Sequence, residues 1–361
     1  MFRRASFMLK KLSVAGLCAT AINASAQDYL PILQYHHVSD NAPFSTSVTP
    51  AQFTEHMDYL RDANFQVLPL AQALADIRAG KPLPDKAVAI TFDDAYRNIY
   101  EQGFPILKER GFPFTVFINT GPVEQGNKSF LTWDQMREMQ RFGGEFANHT
   151  VGHPYLLRLE QGETVEAWWS RITHEIEQVE TALTTQLGES PKMLAYPYGE
   201  SDAQIQEYVT DRGIIGFGQQ SGVVYQGSDF ANLPRFPAAG HYAKLATLKT
   251  KLNAKPMPLI DTQVGGLYAG QEPVSMTMQF DKTGYRFKEL ACYVSGQNQA
   301  ELIWLDELTV KVVAERPFRA GRSRINCTMP DKTGRHYYWF SNVWIKPKGD
   351  EGYVSEKNEK F

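Results

Sequence analysis

Ala87-Val88-Ala89-Ile90-Thr91-Phe92-Asp93-Asp94-Ala95-Tyr96 reads as a short apolar β-strand that ends on two adjacent carboxylates. Like charges so close raise each other's pKa, and burial at a strand end raises both further. A cation relieves that cost: a metal on one aspartate leaves the other free to act as a base. The alternative is that the pair caps the helix that starts near Arg97. This stretch alone leaves both readings open.

A second stretch, His149-Thr150-Val151-Gly152-His153-Pro154, follows another strand-like run, Gly144-Glu145-Phe146-Ala147-Asn148. On a helical turn the i, i+4 spacing of His149 and His153 puts both imidazoles on one face, a spacing that zinc sites use. Two histidines and one aspartate make a three-ligand set with a position open for water.

Together, T-F-D-D-A-Y and H-T-V-G-H-P resemble the motifs of the polysaccharide deacetylases of carbohydrate esterase family 4, the NodB-homology fold, over roughly residues 30–240. The resemblance implies an α/β fold, a distorted (β/α) barrel of about seven strands. It makes Asp93 the base, and Asp94, His149 and His153 the ligands of one divalent metal. Zinc is expected, with cobalt and nickel suited to the same donors. Leu33-Gln34-Tyr35-His36 resembles the acid motif of the subgroup that deacetylates poly-β-1,6-N-acetylglucosamine, where that motif is permuted to the N-terminus, and this makes His36 the acid. Strand alternation lets only one of His36 and His37 face inward. A pair of solvated loop histidines is the alternative, and His241 is the other candidate acid.

In Ala195-Tyr196-Pro197-Tyr198-Gly199 the P-Y half of the family's third motif is present, and it implies that the Tyr198 N–H holds the oxyanion. Ala195 stands where the family has an arginine that orients the base. Arg235, in Leu233-Pro234-Arg235-Phe236, is either its substitute or a surface arginine. The family's Asp-Trp pair is not visible.

Around these motifs strand and helix alternate. Helices are expected over 51–62, 70–78, 97–110 with a kink or a restart at Pro105, 132–141, 163–187 and 242–252. Further strands are expected over 113–118, 193–196, 214–218 and 232–236. Such alternation argues for parallel strands with helical crossovers. His36, Asp93, Asp94, His149 and Tyr198 each follow a strand, so a barrel would gather them on one rim.

The flanks read differently. Residues 1–26 have a basic start (Arg3, Arg4, Lys10, Lys11), a short apolar core and Ala24-Ser25-Ala26, the pattern of a secretory leader too short to span a membrane. The barrel is expected over 27–252 and a linker over 253–271, with Pro256, Pro258 and Gly265-Gly266. A small β-sandwich follows over 272–347, where Val274-Ser275-Met276-Thr277-Met278 and Leu308-Thr309-Val310-Lys311-Val312 alternate. The aromatics Tyr337-Tyr338-Trp339-Phe340 and Trp344 are expected to fill its core rather than stack on sugar. The charged tail, 348–361, is expected to be disordered. Cys292 and Cys327 are expected to be bonded in an oxidising compartment, Cα atoms roughly 4.4–6.8 Å apart, with two buried thiols the alternative.

The chain carries a net charge of −3, and removing the leader with its four basic and no acidic residues takes −3 to −7. That balance argues against nucleic acid or anionic lipid as partner. No transmembrane segment is expected, and nothing in the sequence points to a protein partner. The product is expected to be exported, periplasmic or extracellular, with outer-membrane association left open. The expected activity is metal-dependent removal of N-acetyl groups from an amino-sugar polysaccharide, poly-β-1,6-N-acetylglucosamine first. Peptidoglycan, chitin or acetylated xylan are the alternative substrates, and a non-catalytic polysaccharide-binding protein is the alternative of another class.

Overall fold

The computed structural model describes residues 26–348 and 352–354. Residues 1–25 of the expected leader, and residues 349–351 and 355–361 of the expected tail, lie outside the described residues.

Two strands form the centre: β1 (Tyr29–Tyr35) and β2 (Ala87–Asp93), buried along almost their whole length. Their continuous apolar runs suit parallel strands covered on both faces. β3 (Phe114–Ile118), β4 (Gly144–Asn148), β5 (Met193–Ala195) and β6 (Ile215–Phe217) continue the sheet in parallel, in the order β6-β5-β4-β3-β2-β1. Beyond β1 lie β7 (Val223–Tyr225), antiparallel to its start, and β8 (Phe236–Pro237), parallel to Leu33-Gln34. Phe217 of β6 makes a parallel bridge to Leu233. The segment leading into β8 therefore links β6 back to β1, and the sheet curls into a distorted barrel.

Seven helices cover it: α1 (Pro50–Asp62), α2 (Leu70–Arg78), α3 (Phe104–Arg110), α4 (Trp133–Gln140), α5 (Val165–Leu187), α6 (Ala203–Asp211) and α7 (Leu245–Leu252), with shorter helical turns between. Thr49 and Thr132 open α1 and α4 with reciprocal capping boxes. α5 buries Trp168, Ile172, Ile176, Val179 and Leu183, one stripe at helical spacing. At Pro105 the helix restarts rather than kinks. A π-helical stretch, Ile99–Gly103, ends first, and Pro105 sits in the first turn of α3, where its missing N–H leaves no bond unmade.

The C-terminal part holds two four-stranded sheets. One has the order β9 (Ala254–Pro256), β16 (Tyr337–Lys346), β15 (Gly321–Pro330), β12 (Ala291–Val294). The other runs β10 (Leu259–Gln263), β11 (Ser275–Phe280), β14 (Thr309–Val313), β13 (Glu301–Trp304). Met276, Met278, Phe280, Val310, Val312, Ile325, Met329 and Trp344 share one core between them. The Cys292–Cys327 disulfide joins directly opposed positions of β12 and β15. Their Cα atoms are 4.0 Å apart, closer than expected from free-standing bridges, because the antiparallel register already brings the two strands face to face.

Three expectations are corrected here. Residues 253–271 are not a bare linker, for β9 and β10 lie within them. Pro256 is tolerated because it ends an edge strand. The tail is not wholly free: Tyr353 and Val354 are buried in the cluster that includes Trp168 and Ile172 of α5. Nor do the aromatics of β16 fill one core. Trp344 lies in the sandwich core, but Trp339 packs edge-on against Phe236 of β8, ring centroids 5.1 Å apart, and joins the barrel's core.

Candidate active site

β2 delivers the two carboxylates. Asp93, its last residue, is completely buried. Arg235 is completely buried too, and its guanidinium clamps Asp93 with two bonds, Nη1 to Oδ1 at 2.6 Å and Nη2 to Oδ2 at 2.9 Å. Such a bidentate pair fixes direction as well as charge. Gln34, on β1, donates a further bond to Asp93 Oδ2 at 2.7 Å. Burial works against the Asp93 charge, but Arg235, with His149 and His36, holds its carboxyl down at about 2. Asp93 is therefore an oriented carboxylate at every physiological pH.

Asp94 turns the other way, because the chain leaves the strand through left-handed backbone at Asp94 (φ 74°) and Ala95 (φ 56°). His149 follows β4 directly and is fully buried. Its Nδ1 lies 2.6 Å from the Ala195 carbonyl. The carbonyl only accepts, so Nδ1 carries the proton and Nε2 presents a lone pair. Nε2 faces Asp94 Oδ1 at 3.1 Å, and His153 Nε2 lies 3.4 Å from the same oxygen. Asp94 Oδ1 and His149 Nε2 are both buried and both lack a well-formed hydrogen bond. The ligand atoms of Asp94, His149 and His153 all lie within 4.8 Å of one another. Two histidine nitrogens and a carboxylate oxygen converge, and two of these three atoms are unsatisfied, which fits a divalent metal.

The two histidines do not ride on a helical turn as their spacing suggested. Thr150 (φ 66°) and His153 (φ 57°) have left-handed backbone, which a right-handed helix cannot contain. Asn148 Oδ1 accepts from the Thr150 N–H, and Thr150 Oγ1 accepts from the His153 N–H. The loop is thus held by its own side chains.

His36 follows β1 and stands 3.8 Å from Asp93 Oδ2 through its Nε2. His37 points elsewhere, stacked on Tyr96 at 3.7 Å and bonded to Asn98. His241 packs against Phe44. Tyr198, after β5, has left-handed backbone (φ 58°), and its ring stacks on Tyr155 at 3.8 Å. His36, Asp94, His153 and Tyr198 line one cleft. Sequence reasoning missed Gln34. Its signal was a polar side chain inside an otherwise buried strand, Leu30-Pro31-Ile32-Leu33-Gln34-Tyr35.

Residues 80–215 match the family model described as polysaccharide deacetylase. The chain is 29% identical over 234 residues to the poly-beta-1,6-N-acetyl-D-glucosamine N-deacetylase of Staphylococcus aureus (strain MRSA252), covering 63% of this chain and 80% of that one. It is 27% identical over 238 residues to the protein of the same name from Escherichia coli (strain K12), covering 56% and 35%. Of two curated relatives it matches, the chain spans 43% and 35% of the length. The solved structure of the Streptococcus pyogenes deacetylase PplD in complex with acetate has a TM-score of 0.54 and 25% identity, covering 59% of this chain and 93% of that one. No helix among the described residues is long and apolar enough to cross a membrane.

Proposed function

From the match of residues 80–215 to the polysaccharide deacetylase model, we propose that the chain is a metal-dependent hydrolase that removes N-acetyl groups from poly-β-1,6-N-acetylglucosamine. The observation that carries this reading is the Arg235-clamped Asp93 beside the converging Asp94–His149–His153 set. Two relatives named as deacetylases of that polymer support the substrate.

Asp94, His149 and His153 would hold the metal, zinc before cobalt or nickel, which when bound polarises the acetyl carbonyl and makes water acidic. Asp93 takes the proton of the attacking water. Arg235 and Gln34 keep its carboxylate aimed at that proton. The backbone N–H of Tyr198 donates to the oxyanion as the carbonyl carbon becomes tetrahedral. His36 gives a proton to the departing nitrogen, because an amine leaves poorly unless it is protonated. Acetate and a glucosamine amine result. A disulfide between Cys292 and Cys327 supports an exported protein, since such bonds persist in oxidising compartments.

Acetate release tests the reading. The protein loaded with zinc, cobalt or nickel is given β-1,6-linked N-acetylglucosamine oligomers, chitin oligomers, peptidoglycan and acetylated xylan in parallel. The β-1,6 oligomers should be the best substrate, and Asp93→Asn should keep the metal and lose turnover. A protein that binds these oligomers but frees no acetate with any metal is a binding module instead. Faster release from another polymer would move the substrate assignment.

A further inference from the structure

β15, a strand of the sandwich, runs along the mouth of the catalytic cleft. Its Arg322 and Arg324 line the same cleft of about 570 Å³ as His36, Asp94, His153 and Tyr198. Neither lies in the segment matched by the family model. Alternation along a strand delivers residues two apart to one face, so the pair arrives side by side. On the same strand Ile325, Cys327 and Met329 turn into the sandwich core. A rigid, disulfide-tied sheet therefore presents two guanidiniums to a site built by the other half of the chain.

Both arginines spend donors on neutral acceptors. Arg322 Nη2 donates to Gln219 Oε1 at 2.9 Å, and Arg324 Nη2 donates to the Tyr242 hydroxyl at 3.0 Å. Among the described residues, Arg322 Nη1 is buried without a hydrogen-bond partner. Gly199 leaves room for it, since a Cβ there would come within 2.8 Å of that nitrogen. Burial first, and then Arg324, push the Arg322 pKa down to about 10, although Glu200 pulls the other way. Surroundings that already disfavour one cation disfavour a second. Asp94 is the one carboxylate lining this cleft among the described residues, and its charge faces the two histidines.

Resting on the deacetylase reading, we propose that Arg322 and Arg324 form a subsite of the cleft that accepts an N-acetylated sugar next to the reacting one and excludes a sugar whose amine is free. The acetyl carbonyl is an acceptor that a guanidinium can use. Hydrolysis adds water across the amide, releases acetate and leaves an ammonium, which has three donors and no acceptor. The product residue thus loses the group the arginines bind and gains their own charge. The enzyme selects against sugars it has already processed and leaves the polymer partly acetylated.

The probes are a β-1,6-linked N-acetylglucosamine pentamer and the same pentamer with one internal glucosamine. Calorimetric binding to the full chain is measured first, then acetate release and the mass of the end product. The wild-type protein should bind the fully acetylated pentamer about tenfold more tightly, the scale of one like-charge contact in a partly solvated cleft. Arg324→Gln should narrow that ratio, and Arg322→Gln/Arg324→Gln should bring it close to one with fewer acetyl groups in the end product. Arg324 is half-buried and its guanidinium donates to a neutral tyrosine hydroxyl, so the single variant decides the matter even where the double variant does not fold. Equal binding of both pentamers by the wild type, binding of neither, or a ratio untouched by Arg324→Gln overturns the subsite. Discrimination without acetate release would sink the deacetylase reading and leave the subsite standing. Acetate release without discrimination would do the reverse.

Discussion

The barrel rim and the sandwich use left-handed backbone in opposite ways. Among the described residues the sandwich confines it to glycines such as Gly284, Gly296 and Gly334, where it costs nothing. The rim puts it on Asp94, Ala95, Thr150, His153 and Tyr198, none of them glycine. Each such residue costs on the order of 1 kcal/mol or more and persists only where its surroundings over-determine it. Buried charge is divided by place rather than by region. The barrel buries Asp93 against Arg235 directly under its site, whereas the sandwich keeps the cluster between its sheets apolar and holds its buried Asp331 outside that cluster, paired with Lys255. One region spends stability on aiming side chains, and the other supplies a stiff wall.

The sharpest way to break the comparison is to remove what the rim is aimed at. His149→Ala deletes a completely buried donor whose Nδ1 is anchored to Ala195. The variant should lose its metal, measured by elemental analysis, and with it all detectable acetate release. The circular dichroism spectrum and the sandwich disulfide should be unchanged. Retained metal would mean that the ion is held without His149 and that the three-residue ligand set is wrong.

A smaller effect separates the roles on the rim. General acid catalysis contributes about 10²–10⁴-fold, so His36→Ala should lose that much on an amide oligomer. An activated ester with a good leaving group needs no proton from the protein, so its rate should fall far less. Equal loss on both substrates would make His36 a structural partner of Asp93. Loss of amide turnover in His241→Ala instead would move the acid away from the N-terminus.

How much of this was legible depended on whether a residue's meaning is local. The strands around Asp93 and His149 announced themselves by apolar runs, and the donors by residue type. The path of the chain between His149 and His153 did not. A helical spacing says nothing about Thr150 and His153 adopting positive φ, because side-chain bonds from Asn148 and Thr150 impose it. Arg235 could be named as a candidate but not placed. Its partner is 142 residues away, and only the return of residues 233–237 to β1 brings the two together. Arg322 and Arg324 were invisible, since nothing in β15 marks which strand of the sandwich will face the barrel. Pro256 disguised β9 as part of a linker for a related reason: edge strands tolerate residues that central strands reject.

Arg235 tests whether aiming, rather than charge alone, is what the rim achieves. Arg235→Gln leaves the buried Asp93 carboxylate with Gln34 but without its cation. Breaking a buried pair typically costs about 3–5 kcal/mol, so the variant should be less stable but foldable. Arg235 lowers the Asp93 pKa, so its loss must raise it. In the wild type the pairing stabilises the fold above the ordinary carboxylate pKa, and that contribution fades as pH falls toward about 2. In the variant the acid limb of kcat/KM for the metal-loaded enzyme should move to higher pH. A fall in kcat with the limb unmoved would assign Arg235 to packing alone.

The smallest effect on chemistry should come from the sandwich's own staple. Cys292 and Cys327 are 35 residues apart in sequence, and closing a loop of that length contributes about 3–4 kcal/mol by the chain-entropy account. Cys292→Ala/Cys327→Ala should therefore melt at lower temperature, with the loss confined to the C-terminal sheets. Metal affinity should not change, because Asp94, His149 and His153 all sit on barrel loops and their ligand atoms converge without any group from β12 or β15. What should weaken is the wall that β15 offers the cleft, since Arg322 and Arg324 share their strand with Cys327. The ratio of binding between the acetylated and partly deacetylated pentamers should fall while turnover of the acetylated one stays within a fewfold of wild type. If the bond's loss released the metal, the two regions would not be separable, and the sandwich would have to be counted as part of the rim's own scaffold.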